Sequence, residues 1–271
     1  MLIDTHCHIY MNKHKSVEEI LSELNTNNVW KIICVWIDIE TSKICVELAK
    51  KYPWIIYASI WIHPSDVKQY LWNETQTINI LENILIENKK YIVWIWECWF
   101  DYHWIDKNNF NKEQKLQKDF FVRQINLAKK YSLPIIIHSR DSKDDTLNVL
   151  KELDFKKFIL HCYSEDLDFA YKAIYFSEVC KISFSWILTY KSAWNIHNVA
   201  ANIPLNRILI ETDSPYLAPQ SVRWTENNPS NLKYILQKIY ELRQSNWKNE
   251  TINEIENTIY KNSLEIYSID N

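Results

Sequence analysis

Eight short apolar runs, separated from end to end by segments of helical period, constrain this chain more than any other feature. The runs fall at 1–8, 31–37, 55–62, 91–97, 134–138, 157–162, 179–185 and 207–212. Between them lie amphipathic stretches near 17–27, 41–51, 74–88, 112–131, 142–152, 166–176 and 191–202, and two more near 230–244 and 250–267 close the chain. Strict alternation of this kind argues for βαβ units and a parallel sheet. The runs are almost continuously apolar, as strands are when both faces of their sheet are covered. At 271 residues the chain suits one large α/β domain spanning 1–271. A single (β/α)8 barrel fits best, with a doubly wound open sheet as the competing arrangement.

Composition excludes several classes. No apolar run approaches the roughly 20 residues that span a bilayer, and "MLIDTHCHIY" carries no basic region followed by an apolar stretch and cleavage site. A cytoplasmic protein with no membrane partner is expected. The net charge of −3 is not the basic footprint of a typical nucleic-acid binder, although bound divalent cations would change the local balance of a site. Cysteines 7, 34, 45, 98, 162 and 180 lack the spacing of a metal knuckle and lie mostly inside apolar runs, so reduced, buried thiols are expected.

The polar residues that end the runs carry the chemistry. In "DTHCH" the side chains of His6 and His8 point the same way on a strand, so both reach one ion while Cys7 faces away. His63 ends the third run, Glu97 the fourth, His138 the fifth, His161 the sixth and Asp213 the eighth. In a barrel these ends meet at one mouth, where active sites of that fold lie. A lone strand-end histidine or aspartate is usually a cap or a satisfied polar group; seven such residues, each after an apolar run, point to a metal centre. Four imidazoles and two carboxylates suffice for two divalent ions, with Glu97 able to bridge them. Such a pair lowers the pKa of a bound water and clamps the attacking and leaving oxygens of a displacement. Hydrolysis of phosphate esters or of amides follows.

Taken together, "DTHCH", "WIHP", "WECWFDY", "IIIHSRD", "LHCYS" and "ETDSPYLAP" resemble, in order, the motifs of the TatD family of metal-dependent deoxyribonucleases. "VRWTENNP" and the terminal "IYKNSLEIY" extend the resemblance over essentially the whole chain. The resemblance implies a TIM barrel of the metal-dependent hydrolase superfamily. It further implies one ion held by His6, His8, Glu97 and Asp213, and another by Glu97, His138 and His161. Asp213 or Glu97 would handle the proton of the attacking water. His63 and Arg223, with Arg140 and Asn227 as further candidates, would contact substrate phosphates. Mg²⁺ is the ion the resemblance implies for activity, while the histidine-rich set suits Zn²⁺ or Mn²⁺ by ligand preference. The implied partner is DNA, at single-stranded ends, and the implied state a monomer. The competing enzyme class is an amidohydrolase cleaving a cyclic amide or ester; the non-enzyme alternative is an inactive scaffold or binding protein.

One departure from the family runs through the chain. It has no glycine and 13 tryptophans, where about 7% glycine, roughly nineteen residues, is usual. Trp61, Trp96, Trp99, Trp186 and Trp224 occupy positions where the family has glycine, and Trp54, Trp72 and Trp247 fall in polar turns. Trp104 best fits a true tryptophan. Tryptophan standing at glycine positions accounts for both counts at once; a UGA codon that one genetic code reads as glycine and another as tryptophan produces this exchange. Overpacking costs about 1–3 kcal/mol per site, so a dozen literal tryptophans would exceed the roughly 5–15 kcal/mol that holds a domain together.

Overall fold

The computed structural model describes residues 1–36, 38–60, 74–102 and 109–270, without the side chains at 74, 75, 95–99 and 101. Eight parallel strands form one sheet in sequence order: β1 Leu2–Cys7, β2 Val29–Cys34, β3 Ile56–Ile60, β4 Ile92–Asp101, β5 Ile135–Arg140, β6 Phe158–Leu160, β7 Lys181–Phe184 and β8 Ile208–Ile210. The helices between them are α1 Val17–Leu24, α2 Ile39–Lys51, α3 Glu74–Asn88, α4 Phe110–Tyr131, α5 Lys143–Glu152, α6 Leu167–Phe176 and α7 Trp194–Asn202, followed by α8 Leu232–Ser245 and α9 Ile252–Tyr267. This is the α/β barrel expected from the alternation, not the open sheet. Among the described residues no helix is long and apolar enough to cross a membrane.

Closure lies just beyond the last rungs of β8 and β1. Cys7 bridges Ser214 in parallel, the Asp213 amide donates to the His6 carbonyl at 2.9 Å, and the His8 amide donates to the Ser214 carbonyl. Lower down, the buried carboxylate of Asp4 accepts from the Thr212 amide at 2.9 Å and from the Thr212 hydroxyl. Burial pushes the Asp4 carboxyl up to about 7, against the opposing pull of the two Thr212 bonds.

Strands are apolar because both faces are covered. Ile32, Ile33, Ile56, Ile136, Ile159, Ile182 and Leu209 are all buried, as are the helix residues Ile20, Leu24, Phe120, Phe121, Ile235 and Ile255 that pack on them. Helix starts are written in the sequence: capping boxes pair Ser16 with Glu19, Asp38 with Thr41 and Thr251 with Glu254, each worth about 1 kcal/mol. Helix exits are less ordinary. Left-handed caps that usually take glycine are built from Asn28, Ser132 and Ser268, with φ of 60°, 57° and 54°.

Two tryptophans also sit at left-handed backbone, Trp54 at φ 72° and Trp247 at φ 59°. Both are in the polar turns singled out from the sequence, α2 to β3 and α8 to α9, and the second is 92% exposed. Trp224 is equally exposed, while Trp36 and Trp94 are completely buried. The indole N–H groups of Trp36, Trp94 and Trp186 are buried with no acceptor among the described residues, a burden glycine would not carry. Trp61, Trp72 and Trp104 lie outside the described residues, as do the side chains of Trp96 and Trp99. The described cysteines are free thiols; four are buried, and Cys162 is half-buried.

Candidate metal centre

The carboxyl-terminal ends of β1, β5, β6 and β8 bring five of the six expected ligands together. His6 Nε2 lies 3.6 Å and His8 Nε2 3.8 Å from Asp213 Oδ1. The His6 and His8 rings meet edge to face at 5.2 Å, and His6 stacks on His161 at 4.3 Å. Across the mouth, His138 Nδ1 and His161 Nε2 are 3.3 Å apart. The sixth, Glu97, is placed in β4 with its backbone paired to Ile136, but its side chain is outside the described residues, and so is His63 altogether.

The donor set fits a divalent cation. Tetrahedral ligands at the usual Zn–N distance are separated by about 3.3 Å, the spacing found between His138 and His161. His6, His8 and Asp213 form one convergent group of possible ligands, and His6, His161 and Glu211 another. Strain accompanies the arrangement: Asp141, Cys162 and Asp213, each just past a strand end, have φ of 57°, 42° and 56°. Left-handed backbone at non-glycine residues is uncommon and gathers at functional sites. Here it turns the chain sharply after the strand, and the Asp213 turn is fixed by the amide bond to His6.

The expected substrate contacts are not drawn together in the same way. Arg140 ends β5 and is exposed. Arg223 is exposed, its guanidinium carbon 5.4 Å from the Tyr190 ring and 5.3 Å from that of Trp224. Asn227 departs from the expectation. It is fully buried, donating to the Thr212 and Leu217 carbonyls and accepting from the Asn228 amide and the Asn231 side chain. With its amide committed inside the chain, it latches the loop after β8.

Two acidic residues in the centre escaped the sequence reading. Glu211 is 1% exposed; its Oε1 lies 3.1 Å from His161 Nδ1 and accepts from the Cys162 amide at 2.6 Å, and its Oε2 accepts from Ser183 at 2.7 Å. Asp4 is the other. Both had a signal: a carboxylate within an apolar run must find partners when the run is buried.

The groups that could hold a cation at the mouth of the barrel come from "DTHCH", "LHCYS" and "ETDSP". The profile of the TatD related DNase family matches residues 3–268. The chain belongs to the TatD family. It is 33% identical to a Bacillus subtilis protein named as an uncharacterized metal-dependent hydrolase, YabD, over 99% of this chain and 100% of that one. A Mycoplasma genitalium protein of the same description, MG009, is 32% identical over 97% and 98%. The crystal structure of YJJV, a TatD homologue from Escherichia coli, superposes with a TM-score of 0.86 at 26% identity, covering 99% of this chain and 98% of that one. The TatD chain described here is thus a metal-dependent hydrolase by family, on a TIM barrel.

Proposed function

We propose that this TatD protein is a cytoplasmic, monomeric deoxyribonuclease that hydrolyses phosphodiester bonds from single-stranded DNA ends, using two divalent cations. The convergence of four histidines and Asp213 at one mouth carries the proposal. Bound cations would lower the pKa of the attacking water and neutralise charge on the phosphate. His6 and His8 would hold one with Asp213; His138 and His161 would hold the other; Glu97 would bridge.

The remaining work falls to side chains of the chain. Asp213, whose carboxylate is 19% exposed while both neighbouring imidazoles are buried, is open to solvent and accepts the proton of the attacking water. Its backbone bond to His6 keeps the carboxylate from swinging away. The exposed Arg140 and Arg223, together with His63, supply positive or hydrogen-bonding groups for phosphates along the strand. A bridging carboxylate in place of the carboxylated lysine of many amidohydrolases favours phosphodiesters over cyclic amides.

The test is release of nucleotides from end-labelled single-stranded DNA with Mg²⁺ or Mn²⁺, halted by chelator. Glu97→Ala should abolish it and weaken binding of at least one ion, whereas His63→Ala should lower turnover with metal content near normal. Intact DNA alongside cleavage of cyclic amides or lactones would replace this function with the amidohydrolase one.

A further inference from the structure

We infer that Glu211 is a positioning residue that sets the tautomer of His161 and aims its Nε2 into the metal centre. The inference rests on the metal-hydrolase reading of the mouth and extends it to a residue outside the expected ligand set.

Glu211 Oε1 is 3.1 Å from His161 Nδ1 and 2.6 Å from the Cys162 amide, while Oε2 is 2.7 Å from the Ser183 hydroxyl. An amide can only donate, and a carboxylate oxygen taking that bond is an acceptor for the imidazole too. His161 therefore carries its proton on Nδ1. In a neutral imidazole that leaves Nε2 as the lone-pair nitrogen, and Nε2 is the atom 3.3 Å from His138. The ligand nitrogen and the carboxylate thus lie on opposite sides of one ring. Neutral histidines ordinarily divide between two tautomers, so fixing one in advance removes a cost from cation binding, and a carboxylate behind the ring raises the basicity of the nitrogen in front.

Burial makes the arrangement rigid. Glu211 and His161 are 1% and 4% exposed, and Ser183 is completely buried. The Cys162 bond matters separately. That residue has φ 42°, and its amide is held by the same oxygen, so Glu211 restrains the turn after β6 as well as the ring. The His6 ring, stacked on the imidazole at 4.3 Å, completes the clamp.

The experiment compares Glu211→Ala, Glu211→Gln and His161→Ala in two measurements. Imidazole ¹H–¹⁵N correlation spectra of the metal-free protein at about pH 8, above the ordinary titration of imidazole, report the His161 tautomer without cation or substrate. Mn²⁺ titration reports affinity. Glu211→Ala should move His161 out of the Nδ1–H form and weaken Mn²⁺ binding about 10–100-fold. Glu211→Gln can still accept from Nδ1–H and donate to Ser183, so it should keep the tautomer and most of the affinity; it carries the test if the alanine protein fails to fold. Glu211→Ala added to His161→Ala should cause no further loss. A persistent Nδ1–H tautomer in Glu211→Ala would overturn the inference. So would a Glu211→Gln protein that keeps the tautomer but loses Mn²⁺, because Glu211 would then itself be a ligand. Neither measurement depends on DNA hydrolysis, so a protein inactive on DNA leaves the inference standing or falling on its own.

Discussion

Replacing Trp54 and Trp247 in turn by glycine and by alanine isolates what the left-handed backbone demands of those positions. Either replacement removes the indole, so lost burial and the lysine contact over Trp54 (Lys90 at 5.4 Å) cancel between the members of a pair. What remains is the difference between a residue with a Cβ and one without. At φ 72° and 59° alanine retains a strain of about 1–2 kcal/mol that glycine escapes, while glycine gives up roughly 0.5–1 kcal/mol of chain entropy. The glycine protein should be more stable than its alanine twin by about 0.5–1 kcal/mol at each site. For a chain of this size that is about 1–2 °C in midpoint. Trp30 supplies the control. It lies in β2 with 52% exposure, where the backbone is extended and alanine should win by about 0.5–1 kcal/mol. Urea unfolding followed by circular dichroism measures all six proteins. An alanine twin as stable as glycine at Trp54 and Trp247, or the same sign at all three sites, would refute the reasoning that these turns are built for glycine.

Two further outcomes test the centre and its surroundings. Titrating Mn²⁺ or Zn²⁺ into chelator-treated protein should raise the unfolding midpoint, by about 2.7 kcal/mol of stability at a hundredfold excess over Kd; His8→Ala and Asp213→Asn should blunt the rise, and an unmoved midpoint in the unaltered protein would remove the metal centre. Asn227→Ala should cost about 2–4 kcal/mol, one modest term for each of its four bonds; near-normal stability with a specific loss of DNA affinity would restore it as a substrate contact.

Element order was legible because alternation is repeated so often that no single ambiguous segment decides it. The stretch 74–88 reappears as α3 with the same bounds, and 166–176 as α6 with one residue trimmed. Strand ends were less legible. The fourth run was expected to stop at 97, yet β4 continues through Asp101 because its extension pairs with β5, Trp99 against His138 and Asp101 against Arg140. Periodicity has no means of seeing a neighbour. The candidate histidines were legible because they fall at the ends of apolar runs, His6 and His8 together at the first and His138 and His161 singly at the fifth and sixth. Glu211 was hidden by Asp213 two residues on, and the burial of Asn227 was not legible because an exposed polar loop and a buried polar latch are written with the same residue types. Only the partners tell them apart.

The closure of the barrel and the placement of the candidate ligands share two backbone bonds. The amide of Asp213 donates to the carbonyl of His6, and the amide of His8 donates to the carbonyl of Ser214, so both of these backbone bonds between the segment after β8 and the end of β1 use a candidate ligand. Side-chain positions of His6, His8 and Asp213 are therefore fixed by the step that completes the cylinder, with Asp4 bonded to Thr212 immediately below. Burying the Asp4 carboxyl is unfavourable, as its raised pKa records, so this clasp is not the cheapest way to join two strands. Its placement two residues before His6 on β1, bonded to the residue before Asp213, suits positioning better than stability. A barrel closed elsewhere would keep its hydrophobic core but would leave the two halves of "DTHCH" and "ETDSP" free to drift apart, and a ligand spacing of a few ångströms does not tolerate that drift.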